Sequence, residues 1–142
     1  MPNFSASISK NRNLLPVEQD LAKIIESIGH VVTSRHVIDP ETTAYPNWEK
    51  DYNPKQLYER EKKRLSDSDV LITEATIPSF GAGFLIDQAI TMKKPLLTMH
   101  YGLSEEKATL MLRGRAEEIN LKMYTEDTAR AVIDRFFKSL SK

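Results

Sequence analysis

Cysteine is absent from this chain of 142 residues, which removes disulfides, thiolate nucleophiles and cysteine-based zinc sites together. Histidine is scarce, and the three present, His30, His36 and His100, show no metal-ligand spacing. No metal and no cofactor is therefore expected. An excess of one charge is lacking too: twenty basic residues balance twenty acidic ones. Nothing in that balance draws the chain to a nucleic-acid polymer or an anionic membrane, although one local site can still hold a small anion. Long hydrophobic runs are missing as well. The start "MPNFSASISK" has no apolar stretch of the secretory kind, and no later run approaches the roughly 18 apolar residues of a spanning helix, so a soluble cytoplasmic protein is expected.

What is present is a regular alternation of short apolar runs with helical patterns, the mark of an α/β domain around a parallel sheet. The length suits one domain, residues 1–142, with one core. "NFSASI", Asn3 to Ile8, reads as the first strand. A helix starts near Pro16, carries Val17, Leu21, Ile24, Ile25 and Ile28 on one face, and stops at Gly29. "HVVTSRHV", His30 to Val37, alternates and is β-branched, so it is expected as the second strand. Residues 38–52 hold two prolines and three aromatics without a period, the composition of a lid or binding loop. Asn53 then caps a helix with Pro54 at its first position and Gln56 three residues after the cap, running to about Ser66.

"DVLITEA", Asp69 to Ala75, is the expected central strand, followed by a Pro-Ser-Phe-Gly-Ala-Gly turn and a helix from Gly83 to Met92. "PLLTMH", Pro95 to His100, is the next strand. Ser104 is expected to cap a helix ending near Arg113, "NLKMY" makes a last strand, and "TEDTARAVIDRFFKSL" a terminal helix with Val132, Ile133, Phe136, Phe137 and Leu140 inward. The result is a doubly wound parallel sheet of five strands with helices on both faces. Ligands of such sheets sit beyond the carboxyl ends of the strands, where strand order reverses. The turn after the first strand, the long loop and the Pro-Ser-Phe-Gly-Ala-Gly turn converge there.

At that edge Ser79, Gly81 and Gly83 offer a hydroxyl and permissive backbone where a helix begins, a seat for a phosphate. The plain alternative is a serine in a turn with glycines demanded by backbone geometry. Ser5, Ser7 and Ser9 are open to the same two readings.

Together these segments resemble the nucleoside 2-deoxyribosyltransferase family, most closely its 2′-deoxynucleoside 5′-phosphate N-hydrolase branch. The resemblance runs through "NFSASIS", "TSRHV", "LYEREKKRLSDSDVLITEATIPSFGAGF" and "TLMLRG", with Pro-Ser-x-Gly-x-Gly as its most specific block. It implies a flavodoxin-like fold, a homodimer with shared sites, a small-molecule nucleotide as ligand and cleavage of the bond between deoxyribose and base. By position it implies substrate binding by Ser7, Ile8, His36, Pro78, Ser79, Gly81, Gly83 and Thr109, the last reaching from the neighbouring subunit.

Catalysis fits the pattern less well. Cleaving an N-glycosidic bond passes through an oxocarbenium-like state that needs a carboxylate beside the anomeric carbon. The family glutamate falls on Leu85, which can do neither part of that work. The helix aspartate of the family matches Glu61, the first-strand tyrosine matches Asn3, and the arginine after Ser-Ile is Ser9. Glu61 and Glu74 are the candidate catalytic acids, each with structural ion pairing as its alternative. Asp87 lies about 200° around the helix from Leu85 and should face elsewhere. His36 is open to a structural role, Tyr45, Trp48 and Tyr52 to loop packing or base stacking, and Arg113 and Arg115 to a solvated helix end or a phosphate. Three functions follow: a nucleotide N-hydrolase, a silent nucleotide binder or sensor, and a structural or interaction protein.

Overall fold

The computed structural model describes residues 2–5, 14–32 and 53–141. Their strands are β1 (Pro2–Ser5), β2 (Val70–Glu74), β3 (Leu96–Tyr101) and β4 (Leu121–Tyr124). These pair in parallel in the order β1-β2-β3-β4, with Asn3 opposite Leu71, Thr73 opposite Thr98 and Tyr101 opposite Tyr124. Parallel sheets need cover on both faces, and the described residues form five α-helices around the strands: α1 (Leu15–Ser27), α2 (Pro54–Asp67), α3 (Phe80–Thr91), the short α4 (Leu110–Arg113) and α5 (Ala129–Leu140).

Strand alternation sorts the core into two layers. Val70 and Ile72 of β2 and Leu97 and Met99 of β3 pack with Leu21, Ala22 and Ile25 of α1 and Ile133 and Phe136 of α5. Leu71 and Leu96 face the other way, onto Leu65 of α2, Ile86 and Ala89 of α3, and Ile119. The arrangement is an α/β fold with a parallel sheet and helices on both faces. Four of the five expected strands lie among the described residues, the first of them in part, since Ala6, Ser7 and Ile8 are outside them. Of the expected second strand, His30, Val31 and Val32 are described and are not in strand conformation, and the rest lies outside the described residues.

Local chemistry explains most boundaries. After α1, Gly29 takes φ +103°, and the N–H groups of Gly29 and His30 bond the carbonyls of Glu26 and Ile25 at 3.0 and 3.3 Å, closing a Schellman cap. The Asn53 side chain accepts from Lys55 and Gln56 N–H at 3.0 and 3.3 Å and starts α2 where expected. Three helix starts differ from the sequence reading. Helix α3 starts at Phe80 rather than Gly83, because the Ser79 hydroxyl caps it by accepting from Ala82 N–H at 3.2 Å. Ser104 caps no long helix: a 3-10 turn, Glu105–Lys107, follows it, and α4 begins separately after Thr109. The last helix starts at Ala129, because Thr125 N–H is taken by the Thr128 hydroxyl at 2.8 Å.

Candidate functional site

The carboxyl ends of β1 and β2 are followed by the two segments that carry the serines expected at a phosphate seat. Ser7 and Ile8 lie outside the described residues, as do His36, Tyr45, Trp48 and Tyr52. The second segment is well defined. Pro78 is exposed, Ser79 is extended at φ −147° and ψ 123°, and Phe80 opens α3. With Ala82 N–H taken by the Ser79 hydroxyl and Gly83 N–H by the Ser79 carbonyl at 3.0 Å, Phe80 and Gly81 hold the N–H groups that a first helical turn leaves outside its ladder. The hydroxyl proton of Ser79 is still available to donate.

Gly81 and Gly83 are therefore helical, and neither has a positive φ. A Cβ on Gly81 would meet only the Ser79 hydroxyl oxygen, at 3.8 Å, and one on Gly83 would meet nothing within 4 Å. This corrects the alternative in which backbone geometry demands these glycines. Glycine inside a helix costs about 1 kcal/mol relative to alanine, and nothing within the described residues asks for it. Both glycines face outward, leaving a smooth helix start open to close approach.

The two candidate acids lie on opposite faces of the sheet. Glu61 is on α2, its side chain 19% exposed, and accepts from Arg60 at 3.1 Å and from Arg64 at 3.2 Å. Glu74 ends β2 on the face covered by α1 and α5 and is almost fully buried. One of its oxygens accepts from Thr76 N–H at 2.6 Å, and the other accepts from the Tyr124 hydroxyl. Burial pushes the Glu74 carboxyl above its ordinary value, while the bonds from Thr76 and Tyr124 and the nearby His100 pull it back. Burial, with the Glu74 charge beside it, also raises the Tyr124 phenol.

Leu85, the residue that the resemblance sets against the family glutamate, packs against the α2/α3 core layer. Asp87 points to solvent and pairs with Arg115 at 3.3 Å, which also holds Glu118 at 2.9 Å. Arg115 is thus occupied at a surface helix end. Thr109 is exposed and caps α4 without a side-chain bond. Around it and α3 the surface is apolar: Phe80 is 94% exposed, Met111 83%, Leu110 78% and Phe84 63%.

Sequence reasoning missed a polar set on the α2/α3 face. Thr73 and Thr98 sit opposite each other in register, and His100 lies two residues beyond Thr98 on the same face. All three are buried, and Thr73 Oγ1, Thr98 Oγ1 and His100 Nδ1 have no hydrogen-bond partner among the described residues. The signal was polar residues at alternate positions in "LITEA" and "LLTMH". Among the described residues no cluster of acidic and histidine side chains has the makings of a metal site, and no helix is long and apolar enough to cross a membrane.

No family model matches the chain. It is 34% identical over 108 residues to a candidate 2′-deoxynucleoside 5′-phosphate N-hydrolase 1 of Methanococcoides burtonii, covering 76% of this chain and 86% of that one. It is 26% identical over 141 residues to the 5-hydroxymethyl-dUMP N-hydrolase of Danio rerio, covering 98% and 96%. Among solved structures, a CMP N-glycosidase of Clostridium botulinum superposes with a TM-score of 0.61 over 97% of this chain and 99% of that one. Its 16% identity makes that a likeness of fold alone.

Proposed function

The chain belongs to the 2′-deoxynucleoside 5′-phosphate N-hydrolase family, and from that premise we propose that it binds a (deoxy)nucleoside 5′-monophosphate and hydrolyses its N-glycosidic bond to free base and sugar 5-phosphate. The observation that carries the proposal is the start of α3. Ser79 caps it, the N–H groups of Phe80 and Gly81 lie outside the ladder, and Gly81 and Gly83 keep it bare without any steric need among the described residues. A dianionic phosphate fits a helix start of that kind. Ser7, Ile8, His36 and Pro78 complete the binding set in this proposal.

In the reaction the bond between C1′ and the base nitrogen breaks, the electron pair leaves with the base, and water supplies hydroxide to C1′ and a proton to the base. With Leu85 unable to stabilise the positive sugar, we assign that task to Glu61, the more accessible of the two candidate acids. Glu74 is the other acid in reach of the edge, and its two hydrogen bonds fit it for holding that edge in shape. A second reading, a silent nucleotide binder, is favoured by Leu85 lying in the core layer and by the two arginines that hold Glu61.

The same reading extends to assembly and topology. Phe80 and Phe84 on α3, and Leu110 and Met111 next to Thr109, are exposed apolar side chains suited to a second copy, which in this proposal brings its Thr109 to the phosphate. Helices α1 and α2 cover opposite faces of the sheet. We extend the proposal to a flavodoxin-like doubly wound sheet of five strands, a reading that helices on opposite faces of the sheet support. A cytoplasmic setting suits a nucleotide monophosphate as substrate.

The test incubates the protein with each deoxynucleoside 5′-monophosphate, follows free base by chromatography and records thermal shift with the same ligands. Base release that is lost in Glu61→Gln supports the hydrolase. A thermal shift without release supports the binder, and neither effect with any nucleotide sinks both.

A further inference from the structure

Buried polar atoms nearly always find hydrogen-bond partners, and each exception calls for an account. Thr73 Oγ1, Thr98 Oγ1 and His100 Nδ1 are three such exceptions gathered on one face of two neighbouring strands. The half of this layer toward the amino ends of the strands is filled by Leu71, Leu96, Leu121 and Ile86. Toward the carboxyl ends, beneath the first turn of α3, the residues turn polar and small: Thr73, Ala75, Thr98, His100 and, from the helix, Ala82. Three unpaired polar atoms beside small side chains supply the two to four polar partners that an internal water needs.

We propose that Thr73, Thr98 and His100 hold an internal water that sets the tautomer of His100, so that its ring presents an N–H to the bound nucleotide; the second half of this statement rests on the nucleotide reading above. The water donates to His100 Nδ1 and to one threonine and accepts from the other threonine hydroxyl. A neutral imidazole that accepts at Nδ1 carries its proton on Nε2. Of the ring nitrogens, Nδ1 is the one that is fully buried and unpaired among the described residues, and the proposal gives Nε2 the task at the carboxyl edge. There it supplies a hydrogen-bond donor near the leaving base, in a chain whose Leu85 offers nothing polar. Thr73 and Thr98 are positioning residues in this scheme.

The water half is tested without nucleotide, by melting temperatures of Thr98→Val and Thr98→Ser. If the hydroxyl binds a water shared with His100, the valine variant melts below wild type and the serine variant melts close to wild type. A hydroxyl that is merely unpaired gives the opposite result, because replacing it by a methyl of the same shape removes a penalty. A valine variant that melts at or above wild type overturns the water site. The second half is tested with His100→Phe, which keeps a ring of similar size. For that variant we expect the kcat of base release to fall by roughly tenfold or more with KM little changed, the pattern of a group acting in the transition state. An unchanged kcat in a folded variant overturns the role of His100. A wild type without nucleotide turnover removes the second half together with the proposed function, while the melting order still decides the first.

Discussion

Tyr124, at the end of β4, donates a hydrogen bond to Glu74, at the end of β2, and so ties together two strands that β3 keeps apart. The ring of Tyr101 on β3 meets the Tyr124 ring edge-on at 5.4 Å. The other oxygen of Glu74 holds the backbone that leads into the Pro78-Ser79 turn. The candidate site therefore stands on a rigid edge.

Removing the phenol exposes that dependence. Tyr124→Phe leaves a buried carboxylate oxygen without its donor, a loss of about 1–3 kcal/mol. Urea denaturation should show the midpoint falling accordingly. A midpoint equal to wild type would mean that Glu74 is held without Tyr124.

The raised carboxyl of Glu74 has a consequence for pH. A folded value above the ordinary 4.5 means that the folded chain binds this proton more readily than the unfolded chain. The stability it contributes is complete below the unfolded value and is lost as pH rises through the folded one. Denaturation midpoints measured from acid to neutral pH should decline more steeply for wild type than for Glu74→Gln over that window. Parallel profiles would contradict the raised value.

Ser79 combines two tasks that one pair of variants separates. Ser79→Ala removes the cap and should cost about 1 kcal/mol of stability as well as nucleotide affinity. Ser79→Asp keeps a capping acceptor but sets a negative charge at the phosphate seat. It should melt near wild type and show no thermal shift with deoxynucleoside 5′-monophosphates. A retained shift in the aspartate variant would remove the seat from this position.

Two helix positions test where glycine serves the fold and where it does not. Lys93 takes φ 56° in the cap of α3, a left-handed conformation that costs a side-chain-bearing residue roughly 1 kcal/mol. Lys93→Gly should raise the melting temperature. Gly83→Ala, at a helical position with open space, should raise it too, by up to about 1 kcal/mol of stability, while weakening nucleotide binding or assembly. A Gly83→Ala protein that is stabilised and fully functional would show that the bare helix start serves no ligand.

Much of the fold was legible because local chemistry marks it. Asn53-Pro54 and Gly29 set helix ends through caps that depend on a few neighbouring residues, and the buried runs 70–74 and 96–101 leave little choice but strands. The start of α3 was misplaced because two glycines look like a turn, whereas one serine hydroxyl is enough to begin a helix before them. Ser104 failed in the opposite sense, as a capping residue type that makes no cap. At the candidate site, the serine ahead of a helix start and the leucine at position 85 are legible in the sequence, and the roles proposed for them rest on the resemblance. The sequence did not supply the Glu74–Tyr124 tie or the Thr73–Thr98–His100 set, because both arise from residues that only strand register brings together.

The central claim is that this chain, lacking a carboxylate at Leu85, still cleaves a nucleotide with Glu61 beside the sugar. The most direct measurement is free-base release from deoxynucleoside 5′-monophosphates by wild type and by Glu61→Gln, with thermal shift confirming that both bind ligand. Release by wild type and its loss in a folded, ligand-binding Glu61→Gln protein is the predicted result. Equal release by the two proteins, or binding by wild type with no release at all, would contradict it.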